Sequence, residues 1–176
     1  MSALTLTEAP SLRREAVLSE CGLYRYYLTR IWDVALPAMH FVMLNPSTAD
    51  AAQDDPTIRK CMGFARRNGC GGIAVTNLFA YRATDPKALI AAAKAGTDVA
   101  GPKGWAWLDV GTQRRPIAAW GRNAYLPALA DRLREVLRRY PGVEWLALDT
   151  MQNGGPAHPL MLPYSCSPKP WKAGGR

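Results

Sequence analysis

The sequence has little of what marks a membrane or secreted protein. None of the apolar runs in its 176 residues approaches the roughly 20 residues that span a bilayer. The first residues, MSALTLTEAPSLRREA, lack the apolar core and the small-residue cleavage site of a secretory signal. We therefore expect no membrane association and a cytoplasmic location.

Cysteine is also scarce and irregularly spaced. The four cysteines are Cys21, Cys61, Cys70 and Cys166, and no Cys-x-x-Cys pair occurs among them. This spacing disfavours a zinc site. We expect free thiols, no metal and no cofactor, with an iron–sulfur cluster built from all four as the less favoured alternative. A Gly-x-x-x-x-Gly-Lys loop and a dinucleotide-binding fingerprint are missing too, which argues against a nucleotide cofactor.

Basic residues, by contrast, are in excess. Lys and Arg total 22 against 14 Asp and Glu, so the formal net charge is +8 and the pI is about 9.6. Many of the arginines are paired or closely spaced, as at 66–67, 114–115, 132–134 and 138–139. A soluble protein with solvated arginines would show the same excess. We favour a nucleic-acid partner, because phosphate neutralisation supplies much of the binding energy in such complexes.

The length fits one domain that can bury a core of its own. We predict a flexible lead-in over residues 1–13, a single α/β domain over 14–165, and a mobile tail rich in Pro, Lys and Gly over 166–176. We expect the protein to be a monomer.

Predicted strands alternate with predicted helices along this domain. Buried strands are expected at 39–44, 73–77, 116–120 and 143–148, and an N-terminal β-hairpin is expected from the β-forming segments at 16–18 and 23–32. The pattern predicts a three-layer α/β/α sandwich with a mostly parallel central sheet. The loops that follow the four buried strands should then converge on one edge of the sheet, where α/β proteins bind ligands.

The stretch from Met39 to Thr57 contains the most informative of these loops. Its apolar strand stops at Asn45-Pro46-Ser47, and a helix begins at Asp55-Pro56. Asn-Pro is a common turn, and Asp before Pro is a good helix cap, so both features also have a purely structural interpretation. The loops after the other three strands carry Asn77, the Gly121-Arg122-Asn123 turn and His158.

Four segments carry a family resemblance: FVMLNPSTADAAQDDPTIRKC, VTNLFAYRATDP, AAWG and HPLMLP. Through them the sequence resembles an uncharacterised bacterial and phage family, domain-of-unknown-function family 1643, over roughly residues 20–165. The same landmarks in the same order are similar to the uracil-DNA glycosylase superfamily. Met43-Leu44-Asn45-Pro46-Ser47 resembles its first motif, and His158-Pro159 resembles its last.

The resemblance implies a protein that acts on a nucleobase in DNA, by hydrolysis of the N-glycosidic bond or a related reaction. Asn45 would position a water, Asn77 would read the base, and His158 would stabilise the leaving base. Ser47 and Leu160 stand where the superfamily has glycine and serine. Asn45 cannot accept a proton as a carboxylate can, so Asp54 or Asp55 would have to supply a base.

Two alternatives remain open, a non-catalytic nucleic-acid binder that keeps the fold, and a small nucleotide or nucleoside hydrolase or transferase.

The predicted site comprises three groups of residues. They are Asn45, His158 and Asp55 for catalysis; Asn77, Pro46, Ser47, Phe79 and Tyr81 for the base; and Arg82, Arg122, Arg59 and Arg66 for nucleic acid.

Overall fold

The computed structural model describes residues 12–173, in which strands and helices alternate after an N-terminal hairpin. Two single-turn 3₁₀ helices, Arg122–Tyr125 and Pro159–Met161, interrupt the later loops. The regular elements in chain order are β1 Arg13–Leu18, β2 Arg25–Ile31, β3 Ala38–Met43, α1 Pro56–Arg67, β4 Gly72–Asn77, α2 Pro86–Lys94, α3 Gly104–Gly111, β5 Ile117–Ala118, α4 Ala130–Arg139, β6 Leu146–Ala147 and β7 Lys169–Pro170.

The strands form one mixed sheet in the order β1-β2-β4-β3-β5-β6-β7. Its centre, β4-β3-β5-β6, is parallel, whereas the β1–β2, β2–β4 and β6–β7 pairs are antiparallel. The protein is therefore a mixed α/β protein, and a mostly parallel sheet is not what the described strands form. The expected hairpin is present, but its β2 pairs directly with β4 and continues the main sheet.

The core consists of two apolar clusters, which lie on opposite faces of the sheet. Alternate residues of β3 divide between them: Phe41 and Met43 belong to one cluster and Val42 to the other. Helix α1 packs on the Phe41 face, while residues of α2, α3 and α4 belong to the Val42 cluster. Because both faces are covered, apolar residues follow one another along β3 and β4 instead of alternating with polar ones, apart from His40 in β3 and the last two residues of β4.

Asp-Pro pairs start the two helices that flank the central loops. Asp55 Oδ1 accepts a hydrogen bond from the Ile58 N–H at 2.8 Å, and Asp85 Oδ1 accepts one from the Lys87 N–H at 2.8 Å. In both helices proline occupies the first turn, where a missing N–H costs nothing. The start of α1 is thereby fixed at the edge of the sheet that the loops share.

The chain ends differ from the predicted domain limits. Residues 1–11 of the predicted lead-in and 174–176 of the predicted tail lie outside the described residues, and Arg13 already belongs to β1. Within the predicted tail, β7 pairs with β6 and Trp171 is only 7% exposed. The Trp171 ring packs edge-on against Trp120, 5.4 Å between centroids, so burial of this aromatic ring extends the fold beyond residue 165.

None of the helices formed by residues 12–173 is long and apolar enough to cross a membrane.

Candidate functional site

The loops that follow the four parallel strands line one cavity of about 460 Å³, here called the strand-edge cavity. This volume lies within the range typical of small-molecule sites, roughly 300–1,000 Å³. The convergence of these loops agrees with the sequence prediction. The lining residues are Arg25, Met43, Leu44, Asn45, Ser47, Asp55, Pro56, Thr57, Ile58, Ala83, Thr84, Pro86, Trp120, Gly121, Arg122, Asn123, His158 and Leu160.

Asn45 lines the cavity with its carboxamide held in one orientation. Its Nδ2 donates to the carbonyl oxygens of Ala83 at 2.8 Å and of Pro46 at 3.1 Å. Carbonyl oxygens only accept, so the amide nitrogen must face them and both of its hydrogens are used. Oδ1 is therefore the atom that Asn45 can offer to a ligand or a water, as an acceptor.

His158 also lines the cavity, with one ring nitrogen already engaged. Nδ1 accepts a hydrogen bond from the Leu160 N–H at 3.3 Å, which places the proton of the neutral ring on Nε2. Burial lowers the pKa of His158, and the nearby Asp55 carboxylate only partly opposes this shift. His158 is therefore neutral at pH 7 and offers an Nε2–H donor.

Of the two carboxylates considered as a base, Asp55 lines the cavity and Asp54 does not. Asp54 forms ion pairs with two arginines: its Oδ1 lies 2.7 Å from Arg30 Nε, and its Oδ2 lies 2.8 Å from Arg14 Nη1. Asp55 is 8% exposed and uses Oδ1 to cap α1, which leaves Oδ2 for other partners. Asp55 thus has a structural role and a place in the cavity wall at once.

Arg25 is a lining residue that sequence reasoning missed. A register shift in the β1–β2 pairing skips Tyr26, since Val17 pairs with Tyr27 and Leu18 with Arg25. Such a bulge reverses the alternation of side chains and puts Arg25 on the α1 side of the sheet. The signal that could have found it is an arginine at the start of a strand rich in aromatic residues, LYRYYLTRIW.

Trp120 and Gly121 form the wall contributed by the loop after β5. The Trp120 ring is fixed by edge contacts with Trp145 and Trp171, each 5.4 Å between centroids. Gly121 has φ +68° and ψ −172°, a conformation that is essentially restricted to glycine. It lets the chain turn away from Trp120 without a side chain next to His158.

Several predicted base-binding residues lie away from this cavity. Ser47 lines it, but Pro46 is buried, and its carbonyl accepts hydrogen bonds from Asn45 Nδ2 and the Ala83 N–H. Asn77 is 6% exposed and lies beside Met43 in the β3–β4 register, one residue from the cavity wall. Phe79 is buried in the Val42 cluster, and Tyr81 packs edge-on against Tyr24.

Of the arginines predicted to bind nucleic acid, Arg122 lies at the exposed rim of the cavity. Arg82 donates from Nη1 to the Gly22 carbonyl, and its Nε is buried without a partner among the described residues. Arg59 donates to the Asp54 carbonyl. Arg66 stacks on Trp32 at 4.5 Å. The last two lie on α1, outside the cavity.

The four cysteines are free thiols, with Cys61 fully buried and Cys21 exposed. Residues 12–173 contain no group of three or more His, Cys, Asp or Glu side chains that could hold a metal ion. The polar and charged groups of the cavity wall include Arg25, Asn45, Asp55 and His158.

Residues 25–160 match the family described as a protein of unknown function, DUF1643, and the chain belongs to that family. No curated protein and no solved structure matches the chain. The likeness to uracil-DNA glycosylases therefore rests on the sequence motifs alone.

Proposed function

We propose that the protein binds a nucleobase of DNA in the strand-edge cavity and hydrolyses its N-glycosidic bond, as a uracil-DNA glycosylase-like enzyme. In this proposal the fold is the three-layer arrangement of that superfamily, with helices on both faces of the sheet. The observation that carries the proposal is that Asn45 and His158 line the same cavity, each with one end already hydrogen-bonded. The free ends are an acceptor, Asn45 Oδ1, and a donor, His158 Nε2–H. In such a reaction the acceptor can orient the water and the donor can stabilise the leaving base.

In the proposed reaction a water oxygen bonds to the sugar carbon as the carbon–nitrogen bond to the base breaks. The base leaves with the electron pair of that bond, so negative charge develops on it, as in other glycosidic cleavages. Neutral His158 donates to an oxygen of the leaving base. A preorganised donor of this kind contributes about 3–4 kcal/mol of transition-state stabilisation in other enzymes.

Asn45 Oδ1 accepts a hydrogen bond from the attacking water and orients it. Because an amide cannot take up the proton, Asp55 is the carboxylate of the cavity wall that would receive it. The base-reading role predicted for Asn77 passes in this proposal to residues that line the cavity. Trp120 and Ile58 supply apolar wall against which a base can pack.

The net charge of +8 and the exposed Arg122 at the rim favour DNA as the source of the base. A phosphate next to the extruded nucleotide would lie at this rim. We therefore propose DNA as the partner, with binding that weakens as salt is added.

The test is incubation with oligonucleotides that carry uracil, hypoxanthine, a mismatched base or a phage-type modified base, followed by alkaline cleavage at the abasic site. We expect release from at least one of them, and loss of release in Asn45→Ala and His158→Asn with binding retained. Absence of release from every substrate contradicts the glycosylase proposal. Binding without release supports a non-catalytic nucleic-acid binder, and binding that ignores salt contradicts both.

A further inference from the structure

Two buried arginines on β2, Arg25 and Arg30, have very different surroundings. They are 2% and 0% exposed, and both reach the loop between β3 and α1. All three nitrogens of Arg30 are satisfied. Its Nε binds Asp54 Oδ1, Nη1 donates to the Thr29 carbonyl at 2.7 Å, and Nη2 donates to the carbonyl oxygens of Asp50 and Gln53. Arg30 is a complete structural anchor.

Arg25 is not satisfied in this way. Nη1 donates to the Ala49 carbonyl at 2.8 Å, whereas Nε is buried and has no hydrogen-bond partner among the described residues. The ion pairs formed within residues 12–173 do not include Arg25. A buried guanidinium without a carboxylate partner is costly, and such a group calls for an explanation such as a ligand.

The guanidinium of Arg25 remains charged despite its burial. Its pKa is lowered to about 10, chiefly by burial and to a smaller extent by nearby Arg82 and Arg30, while Asp55 acts in the opposite direction. At neutral pH the cavity therefore contains a buried cation with unused donor capacity. Because Asp55 also lines the cavity, a negatively charged hydrogen-bond acceptor lies in the same wall.

The order of residues from floor to rim indicates which part of a ligand meets Arg25. Arg25, Met43 and Trp120 are buried, whereas Arg122, Thr84 and Leu160 are exposed. A ligand that enters the cavity presents its innermost atoms to Arg25 and its outer part to Arg122. The Asp55 carboxylate disfavours a dianionic phosphate at the floor, so the phosphate end of a nucleotide fits the rim better.

A guanidinium and a carboxylate together match one kind of base edge. The guanidinium only donates hydrogen bonds and the carboxylate only accepts them, so the complementary edge has a carbonyl oxygen next to a ring N–H. Uracil and hypoxanthine have such an edge. Adenine lacks the carbonyl and presents an amino group in its place.

We propose that Arg25 is a base-binding residue, and that it selects bases with a carbonyl oxygen beside a ring N–H. The inference rests on the proposed function in that it places a nucleobase in the strand-edge cavity, but it does not require that the base be released. Arg25 donates to the carbonyl oxygen from the side of the hairpin, and Asp55 Oδ2 accepts from the adjacent N–H through one of its two lone pairs, which leaves the other for the water proton of the proposed reaction.

The experiment compares Arg25→Met with the matched control Arg30→Met. Binding of deoxyuridine, deoxyinosine, deoxyadenosine and inorganic phosphate is measured by isothermal titration calorimetry, and stability is measured by urea unfolding. We expect the wild-type protein to prefer deoxyuridine or deoxyinosine to deoxyadenosine. Arg25→Met should weaken that binding by about 10- to 100-fold, as expected for a lost hydrogen bond to a charged group.

Stability measurements distinguish a ligand-binding role of Arg25 from a purely structural one. Removing an incompletely paired buried charge should leave the urea midpoint of Arg25→Met equal to that of the wild type or higher, whereas Arg30→Met should lower it. If Arg25→Met fails to fold, Arg25→Lys keeps a charge at the floor but loses the planar set of donors. It should also bind the preferred nucleoside more weakly.

Four results would overturn the inference. They are no binding of any nucleoside by the wild-type protein, equal binding of deoxyadenosine, displacement of the nucleoside by inorganic phosphate, and unchanged binding in Arg25→Met and Arg25→Lys. If binding is unchanged in both Arg25 variants and the wild-type protein still releases a base from DNA, the inference is wrong but the proposed function is supported. Conversely, Arg25-dependent binding without base release supports the inference and contradicts the glycosylase reaction.

Discussion

Gly121 and His158 are close neighbours in the wall of the strand-edge cavity. A Cβ built on Gly121 would lie 3.1 Å from the Cβ of His158, closer than an ordinary van der Waals contact. The glycine turn after β5 and the histidine loop after β6 therefore fix each other's position. A side chain at position 121 would therefore crowd the Cβ and backbone of His158.

Gly121→Ala should lower the free energy of unfolding by about 1–3 kcal/mol, because the φ and ψ of Gly121 are nearly forbidden to other residues. It should also displace His158 and reduce base release. The measurements are urea unfolding and the oligonucleotide assay. Gly142→Ala is the control, since nothing lies within 4 Å of the added Cβ. If both variants behave like the wild type, the contact has no role in shaping the site.

Asn45→Asp tests why an amide stands where a carboxylate would be the better base. The aspartate would face the carbonyl oxygens of Ala83 and Pro46 with no hydrogen to donate. We expect the free energy of unfolding to fall by about 1–3 kcal/mol, with no gain in base release. The measurements are urea unfolding and the oligonucleotide assay.

The control for this substitution is Asn153→Asp, because the Asn153 side chain accepts a hydrogen bond from the Gly155 N–H and an aspartate can do the same. Its stability should change little. A stable Asn45→Asp protein that releases bases faster would contradict the view that Asn45 is retained for its two donated hydrogen bonds.

The pKa of His158 leads to a prediction for stability against pH. Burial lowers its pKa below the ordinary value of 6.5, so below pH 6.5 the unfolded chain binds a proton that the folded protein does not. The folded state therefore loses stability as the pH falls below 6.5, with a slope of at most about 1.4 kcal/mol per pH unit for one proton. His158→Asn should remove this contribution and keep an acceptor for the Leu160 N–H.

His40 is the matched comparison, since burial lowers its pKa in the same direction and it does not line the cavity. Urea unfolding between pH 5 and 7 should show a shallower pH dependence in both His40→Asn and His158→Asn. Only His158→Asn should lose base release. An unchanged pH dependence in His158→Asn would mean that the folded protein protonates this ring as readily as the unfolded chain does.

The residues of the site show what could be predicted from the sequence and what could not. The turns after parallel strands placed Asn45, Asp55, Arg122 and His158 around one cavity, because strand ends in a parallel arrangement share an edge. Arg25 could not be found this way, since the residue skipped in the hairpin register, Tyr26, reverses the face of Arg25 relative to the rest of β2. The same limit applies to the sheet as a whole, where pairing of the hairpin with β4 depends on tertiary contacts.

Asn77 illustrates a second limit. Its position at the end of β4 was predicted correctly, but in the structure it lies behind the cavity wall, and neither of its side-chain polar atoms has a partner among the described residues. Asn77→Leu should therefore leave the free energy of unfolding unchanged or raise it, since an unpaired buried amide is removed. Nucleoside binding, measured by calorimetry, should be retained. A loss of binding at full stability would restore the base-reading role of Asn77.

Arg122 allows the DNA interface to be tested apart from the chemistry. It is exposed at the cavity rim, where a phosphate of an extruded nucleotide would lie. Arg122→Ala should weaken binding by a similar factor for all DNA sequences and reduce the slope of log affinity against log salt by about 1. Fluorescence anisotropy over a salt series measures both quantities. Arg134→Ala is the control, because Arg134 is an exposed arginine on α4 that pairs with Asp131 outside the cavity. If the two substitutions weaken binding equally, the affinity for DNA depends on the overall charge of the protein, and the rim of the cavity has no special part in binding.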